Sequence, residues 1–288
     1  MRPLVSICIP TYNGEKYLQE ALDSVKGQTY KDIEVIISDD SSQDHTLSIA
    51  NRFKQEVSFP VHIYQHQPSG IGANWNHCVE KANGEYIKFL FQDDVLENNC
   101  VTVMVDYLLK HKLKIVVSKR TIIDENSNQI TEGQWYKNFH DLQKPAGIPD
   151  VDFYILSKKN LKNLNSQRYL NDNIIGEPCV SLFTKKMYKS VGPFDENLHQ
   201  ILDYVYWLRI LSKYDIGIIS QKLVKFRLHD QQASSVNWVN GIDERLVITD
   251  FFFRKMFWHM DRKMAKFYLK QKYPLLKKII ALRNKILE

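Results

Sequence analysis

Two adjacent carboxylates, Asp93 and Asp94, close an apolar run at residues 86–91, Tyr-Ile-Lys-Phe-Leu-Phe. The run is short, rich in aromatic and β-forming residues, and opened by Asn83-Gly84, which predicts a strand. It alternates poorly, as a strand buried on both faces of a parallel sheet does. Open α/β sheets bind their ligands at the C-terminal ends of such strands. Side-by-side carboxylates repel each other and are costly when half buried. A divalent cation relieves that cost, and Mg2+ and Mn2+ prefer oxygen ligands. Taken alone, the stretch is better read as a solvated turn in which Asp94 caps the next helix. The rest of the chain changes that balance.

Two further polar clusters have the same setting. Residues 4–9 predict a buried strand closed by Pro10-Thr11-Tyr12-Asn13-Gly14. Residues 33–37 predict a second, ending in Ser38-Asp39-Asp40-Ser41-Ser42. Helical spacing joins them through Tyr17, Leu18, Ala21, Leu22 and Val25. A helix follows with Leu47, Ile49, Ala50 and Phe53, capped by Ser42 or Asp44, and then a strand at 61–64 and a helix at 73–82. Such alternation implies βαβ units and a mostly parallel sheet with right-handed crossovers. All three polar clusters then meet at one sheet edge, a polar cleft for a nucleotide-like ligand. A phosphate-binding lysine loop is absent, and Gly70-Ile71-Gly72 is only a fragment of a dinucleotide fingerprint.

Beyond the fourth strand the pattern predicts a helix at 100–111 and a strand at 114–118. A polar, irregular region spans 125–175, and a short strand follows at 180–183. A helix at 201–211 and strands at 216–219 and 223–228 come next. From Gly241 the pattern is helical, interrupted at Pro274. A long irregular region inside a domain is usually functional or mobile.

Length and composition suit a soluble globular protein: 288 residues, 44% apolar and 25% charged. No apolar stretch approaches the ~18 residues of a membrane span. Met1-Arg2-Pro3-Leu4 shows no signal-peptide pattern, and the four cysteines are scattered. A cytoplasmic, reducing location is expected, with no zinc or disulfide framework. The net charge of +6 is uneven, because residues 251–288 hold eleven Lys and Arg against two Asp and Glu. Such a tail suits an anionic surface, which would make the protein peripheral on the inner face of a membrane. It equally suits a helix packed on the body with its lysines in water.

The ordered motifs resemble family 2 glycosyltransferases of the GT-A fold. The run Val5-Ser6-Ile7-Cys8-Ile9-Pro10-Thr11-Tyr12-Asn13 carries the resemblance, with Ser38-Asp39-Asp40-Ser41-Ser42-Gln43-Asp44-His45-Thr46 and Gln92-Asp93-Asp94. Gly70, Asn74-Trp75-Asn76, Gly192-Pro193-Phe194-Asp195-Glu196 and Phe226-Arg227-Leu228-His229 with Ser234 extend it across residues 3–236. The resemblance implies an α/β, Rossmann-like mostly parallel sheet flanked by helices, with a helical extension after it. Residues 1–238 would be the catalytic domain, with the donor mainly on 1–118 and the acceptor mainly on 119–238. Residues 239–288 would be the basic extension.

The same resemblance implies roles. The donor, a UDP- or dTDP-sugar, would meet Pro10, Thr11, Tyr12, Asn13, Asp40, Gly70, Asn74, Asn76 and Asp93. Tyr12 would stack on the base, Asp40 would accept its imino N–H, and Asp93 would approach the ribose. Asp94 would hold Mn2+ or Mg2+, with His229 at the diphosphate or the metal. Gly176, Glu177 and Pro178 would face the acceptor, a glycan or polyprenyl-linked glycan. Asp203 would be the general base, with helix N-cap as its alternative. Two departures stand out: Gln92 replaces the first carboxylate of an Asp-x-Asp metal motif, and the base position reads Leu202-Asp203 where a Glu often precedes. The Gln-x-x-Arg-Trp motif of processive synthases is missing, so one sugar per encounter is expected. The rivals are a nucleotidyltransferase making sugar nucleotides, and a carbohydrate- or nucleic-acid-binding module. No nucleic acid is expected as partner of a transferase.

Overall fold

Val5–Thr11 (β1) and Ile33–Asp39 (β2) are buried at every position. Helices flank the sheet they belong to, so neither strand has a solvent side on which polar residues would alternate. The structure, a computed structural model, describes residues 2–230, 232, 244–259, 262, 265, 266, 269, 270 and 273. From β1 the chain alternates through Leu18–Lys26 (α1), β2, Thr46–Glu56 (α2), Val61–Gln65 (β3), Ile71–Lys81 (α3) and Tyr86–Phe89 (β4). Helix α1 buries Leu18, Ala21, Leu22 and Val25, the i, i+3, i+4, i+7 stripe of a core-facing helix. β1 pairs in parallel with β2 and β4, and β2 with β3. Their C-terminal ends therefore deliver Tyr12, Asp40 and Asp93 to one edge.

The second half continues with Val95–Leu96 (β5), Cys100–Lys110 (α4), Ile115–Ile123 (β6), Gln134–Phe139 (α5) and Phe153–Leu156 (β7). Ser166–Asn171 (α6), Ser181–Thr184 (β8), Lys185–Val191 (α7), Leu202–Leu211 (α8) and Ile216–Arg227 (β9) follow. The sheet runs β3-β2-β1-β4-β8-β6-β9-β5, with β7 paired to β9. β8 lies antiparallel between β4 and β6, and β6 pairs in parallel with β9. The result is a mixed, mostly parallel α/β sheet in which β3, β2, β1, β4, β6 and β9 run in one direction and β8 interrupts them.

Two expectations change. The strands expected at 216–219 and 223–228 are one strand, β9. The polar step Ser220-Gln221-Lys222 is absorbed as an irregularity in the pairing with β6, not as a turn. The irregular region 125–175 contains α5, β7 and α6, and β7 adds to the sheet through antiparallel pairing with β9.

After β9, Arg245–Phe251 (α9) runs into a π-helical turn, Phe252–Met256, and a 3-10 turn, Phe257–His259. Ile248, Phe252 and Met256 are buried, and the Phe252 ring lies 5.5 Å from that of Tyr169 in α6. The boundary expected at 238/239, Ser234, Gly241, Pro274 and the stripe beyond it lie outside the described residues. Among the described residues no helix is long and apolar enough to cross a membrane.

Candidate active site

The loops after β1 and β2 lock together through side chains. The Asp39 carboxylate accepts from Thr11 Oγ1 at 2.8 Å, from Ser42 N–H at 2.8 Å and from Ser42 Oγ at 2.6 Å. Asp44, just before the His45 N-cap of α2, accepts from Thr46 N–H at 3.0 Å and from Glu15 N–H at 3.0 Å. Asn13, at φ +45°, donates its N–H to Ser42 Oγ at 2.8 Å and accepts from Gln43 N–H at 2.9 Å. On this platform the Tyr12 ring stands 55% exposed.

Asp40 next door is nearly buried yet only lightly bonded. Its Oδ1 accepts from Ser69 N–H at 3.3 Å and lies 3.4 Å from His66 Nδ1. Burial raises its carboxyl above the ordinary range, with His66 opposing. Such a carboxyl has acceptor capacity to spare for a ligand N–H. Gly70, at φ +92°, turns the chain into α3 beside Ser69, a backbone that a side chain would strain.

Four of the expected donor residues are tied into the fold. Pro10 and Thr11 are buried in β1, and the Thr11 carbonyl accepts from Asp40 N–H and Asn74 Nδ2. Asn74 Oδ1 meets His66 Nε2 at 3.3 Å. The Asn76 amide donates to Phe194 O and Glu196 Oε1 and accepts from Tyr188 O–H and Phe194 N–H. All of its hydrogen-bonding capacity is taken in joining α3 to the loop at 192–196.

At the end of β4 the two carboxylates differ sharply. Asp94 is 1% exposed; its Oδ1 accepts from Arg227 N–H at 3.1 Å, and its Oδ2 has no hydrogen-bond partner among the described residues. Burial raises this carboxyl well above its ordinary value and the Asp93 charge adds to that, while the Cys179 thiol and the Arg227 amide oppose. Asp93 is partly exposed, with Oδ2 3.0 Å from His229 Nε2. The imidazole therefore meets Asp93, not Asp94. Arg227, 1% exposed, staples the region together. It donates to Asp93 O, Asp124 O, Ser127 Oγ and Glu20, and its guanidinium lies over the Tyr17 ring at 4.6 Å.

An orphaned buried carboxylate oxygen beside a second carboxylate and an imidazole fits a hard divalent cation. Among the described residues, however, no group of three or more His, Cys, Asp or Glu is arranged to hold a metal. The protein's share of a coordination shell is thus small, as where substrate phosphates and waters complete the shell.

Asp203 sits in the first turn of α8. Its Oδ2 accepts from Asn173 Nδ2 at 2.9 Å and its Oδ1 from Tyr204 N–H at 2.6 Å. Burial first, and the Glu177 charge second, raise its carboxyl to about 7. Glu177 is held by Arg120 at 3.2 Å, and Arg120 in turn lies over the Phe226 ring. Asn173 also bonds Gly176 O and receives Gly176 N–H, while Trp207 Nε1 donates to Gly176 O at 2.7 Å. Pro178 is buried and opens the short turn before β8. The Glu177 charge raises both the Asp94 and the Asp203 carboxyl.

Arg120, Asn173, Cys179 and His66 carry no sequence signal; tertiary contacts alone bring them to the site. A cavity of about 610 Å3 lined by Leu4, Lys31, Asp32 and Pro60 lies where β1, β2 and β3 begin. That is the sheet edge opposite the carboxylates.

The chain matches the family model described as glycosyl transferase family 2 over residues 6–186. An uncharacterized glycosyltransferase of Rickettsia typhi is 30% identical over 256 residues, covering 88% of this chain and 73% of that protein. One of Methanocaldococcus jannaschii is 27% identical over 232 residues, 79% of this chain and 71% of that one. Among solved structures, TarS of S. aureus in complex with UDP-GlcNAc superposes with a TM-score of 0.63 at 18% identity, covering 86% of this chain and 70% of that chain. TarS in complex with UDP gives 0.62 over 86% and 69%. The structural likeness supports the GT-A fold, the sequence match extends over more than half the chain, and on that basis the protein belongs to glycosyltransferase family 2 and is a glycosyltransferase.

Proposed function

We propose that the protein moves one sugar from a UDP- or dTDP-sugar to an acceptor hydroxyl in a single displacement that inverts the anomeric centre. The observation that carries this reading is Asp203, a half-buried carboxyl raised to about 7 by desolvation and the Glu177 charge. A base titrating near neutrality combines the right protonation state with driving force for proton transfer. Donor preference draws on the open carboxyl of Asp40 beside the exposed Tyr12 ring. TarS, solved with UDP and UDP-GlcNAc, adds support.

In this reading the base stacks on Tyr12 and gives its imino N–H to Asp40. The diphosphate lies toward Asp93, Asp94 and His229. Asp203 takes the acceptor hydroxyl proton as the new glycosidic bond forms and the bond from sugar to diphosphate breaks. The electron pair of the broken bond leaves on the nucleoside diphosphate. Asn173 and the Tyr204 amide fix the carboxylate for that transfer. A bound Mg2+ or Mn2+ would supply positive charge against the departing diphosphate, held by Asp94 and Asp93. Residues 1–118 would carry the donor and 119–238 the acceptor, a glycan or polyprenyl-linked glycan in cell-surface polysaccharide synthesis.

The experiment is incubation with a panel of UDP- and dTDP-sugars, Mn2+ or Mg2+, and lipid-linked or free glycan acceptors. Mass spectrometry follows the product and NMR its anomeric configuration. Transfer with inversion supports the reading. Pyrophosphate release would point to a nucleotidyltransferase, and a retained configuration would rule out the single displacement.

A further inference from the structure

We infer that Gln92 is a positioning residue for donor binding: its carboxamide sets the Tyr12 backbone, and with it the exposed ring, and does not ligate the cation. This rests on the donor reading above. Gln92 Oε1 accepts from Tyr12 N–H at 2.9 Å, and Gln92 Nε2 donates to Tyr12 O at 3.0 Å. Both polar groups of one residue are thus held by one side chain, in the manner of a strand partner. Only a carboxamide does both at once; a carboxylate accepts and has no N–H to give. The carboxamide oxygen at the first position of the Asp-x-Asp motif is already engaged.

Gly14 is shaped to this contact. A Cβ there would meet Gln92 Oε1 at 2.3 Å and Gln92 Cδ at 2.6 Å, and the third nearest atom is again from Gln92. Gly14 does not have a positive φ, so its backbone would accept alanine. What excludes a side chain is the Gln92 carboxamide. Among the described residues no ring and no cation packs on the Tyr12 ring. Its placement comes from its backbone, held by Gln92 on one side and through Asn13 N–H on Ser42 Oγ on the other. Loosening Gln92 leaves the ring held from the Asn13 side alone.

The experiment compares wild type, Gln92→Ala, Gln92→Glu, Gly14→Ala and the double variant Gly14→Ala/Gln92→Ala. UDP affinity is measured by calorimetry in Mn2+ and again in EDTA, alongside donor KM, kcat and the melting temperature. One or two hydrogen bonds at ~0.5–1.5 kcal/mol each correspond to about 2- to 160-fold weaker UDP binding in each single variant. Donor KM rises by the same factor, while kcat at saturating donor and the melting temperature stay near wild type. The loss persists in EDTA, and Gly14→Ala adds nothing in the Gln92→Ala background. Rescue of Gln92→Ala by Gln92→Glu, or a loss confined to Mn2+, marks a cation ligand and overturns the inference. Wild-type affinity in the variants, or additive losses in the double variant, overturns it as well. A wild-type protein that takes up no UDP overturns the donor reading itself, and this inference with it.

Discussion

Burial raises the Asp203 carboxyl to about 7, so its charge changes within the working pH range. As a general base it must be ionised, and kcat is expected to rise with pH through a limb centred near 7. Asp203→Asn should lower kcat by ~10²–10⁴-fold, remove that limb and leave UDP affinity unchanged. Collapsed UDP affinity would make Asp203 structural. The stability sign is opposite. The folded value lies above the ~3.9 of an unfolded aspartate, so the folded state holds the extra proton between about 4 and 7. Wild-type stability therefore declines as pH rises through that window. Asp203→Asn should melt above wild type at pH 8 and level with it near pH 4; a constant difference in melting scans would contradict the assignment. Asp94→Asn should keep the fold and abolish metal-dependent turnover, because Oδ2 is the buried oxygen without a partner. Asp93→Asn should act more mildly, on donor affinity. Full activity of Asp94→Asn would remove it from the metal role.

At the scale of elements, α8 carries Asp203 and depends on a residue from beyond the catalytic sheet. Glu244 accepts from the N–H groups of His199, Gln200 and Ile201 at 2.8, 3.0 and 3.2 Å, just ahead of the α8 N-terminus. Burial pushes the Glu244 carboxyl up, and these three donors outweigh it, so it titrates below its ordinary value. The stabilisation is therefore present at neutral pH and lost as pH falls through the folded value. Glu244→Gln should cost on the order of 1–2 kcal/mol at pH 7, read as a lower melting temperature, with the gap closing toward pH 3. Equal melting at both pH values would show that the contact contributes nothing. The same element-scale dependence explains β9. Its polar interruption reads locally as a break, but pairing with β6 on both sides of the irregularity carries the strand through it.

Across the whole molecule, the described part of the basic extension has a buried and an exposed side. Ile248, Phe252 and Met256 pack inward, while Arg254, Lys255 and Trp258 are exposed, Trp258 at 89%. Burial, then Lys158, Lys159 and Lys162, lower the His259 imidazole, so the exposed end lies beside three further lysines. Ile248, Phe252 and Met256 are thus part of the core. An anionic membrane partner remains our proposal for the outward face, where each nearby Lys or Arg would contribute ~1 kcal/mol. Flotation with anionic and neutral vesicles checks it. The expected outcome is binding to anionic vesicles alone, weakened by salt and by Trp258→Ala. Failure of the intact protein to float with anionic vesicles would leave the extension a structural element.

Runs such as Val5–Thr11 and Ile33–Asp39 determined by themselves that the centre is a buried parallel sheet, because unalternated apolar strands need cover on both faces. With that sheet came the meeting of Tyr12, Asp40 and Asp93 at one edge. Only the tertiary structure decided which polar side chains remain open to a ligand. Asp39 and Asp40 are neighbours of one type, yet the Asp39 carboxylate takes three donors from Thr11 and Ser42 and that of Asp40 only one, from Ser69. Asn76 sits in the same motif as Asn74 and is wholly committed to the loop at 192–196. Strand and helix periodicity is local and readable along the chain. Hydrogen-bond satisfaction is not, because its partners stand far apart, 28 residues for Thr11 with Asp39 and 136 for Asp93 with His229.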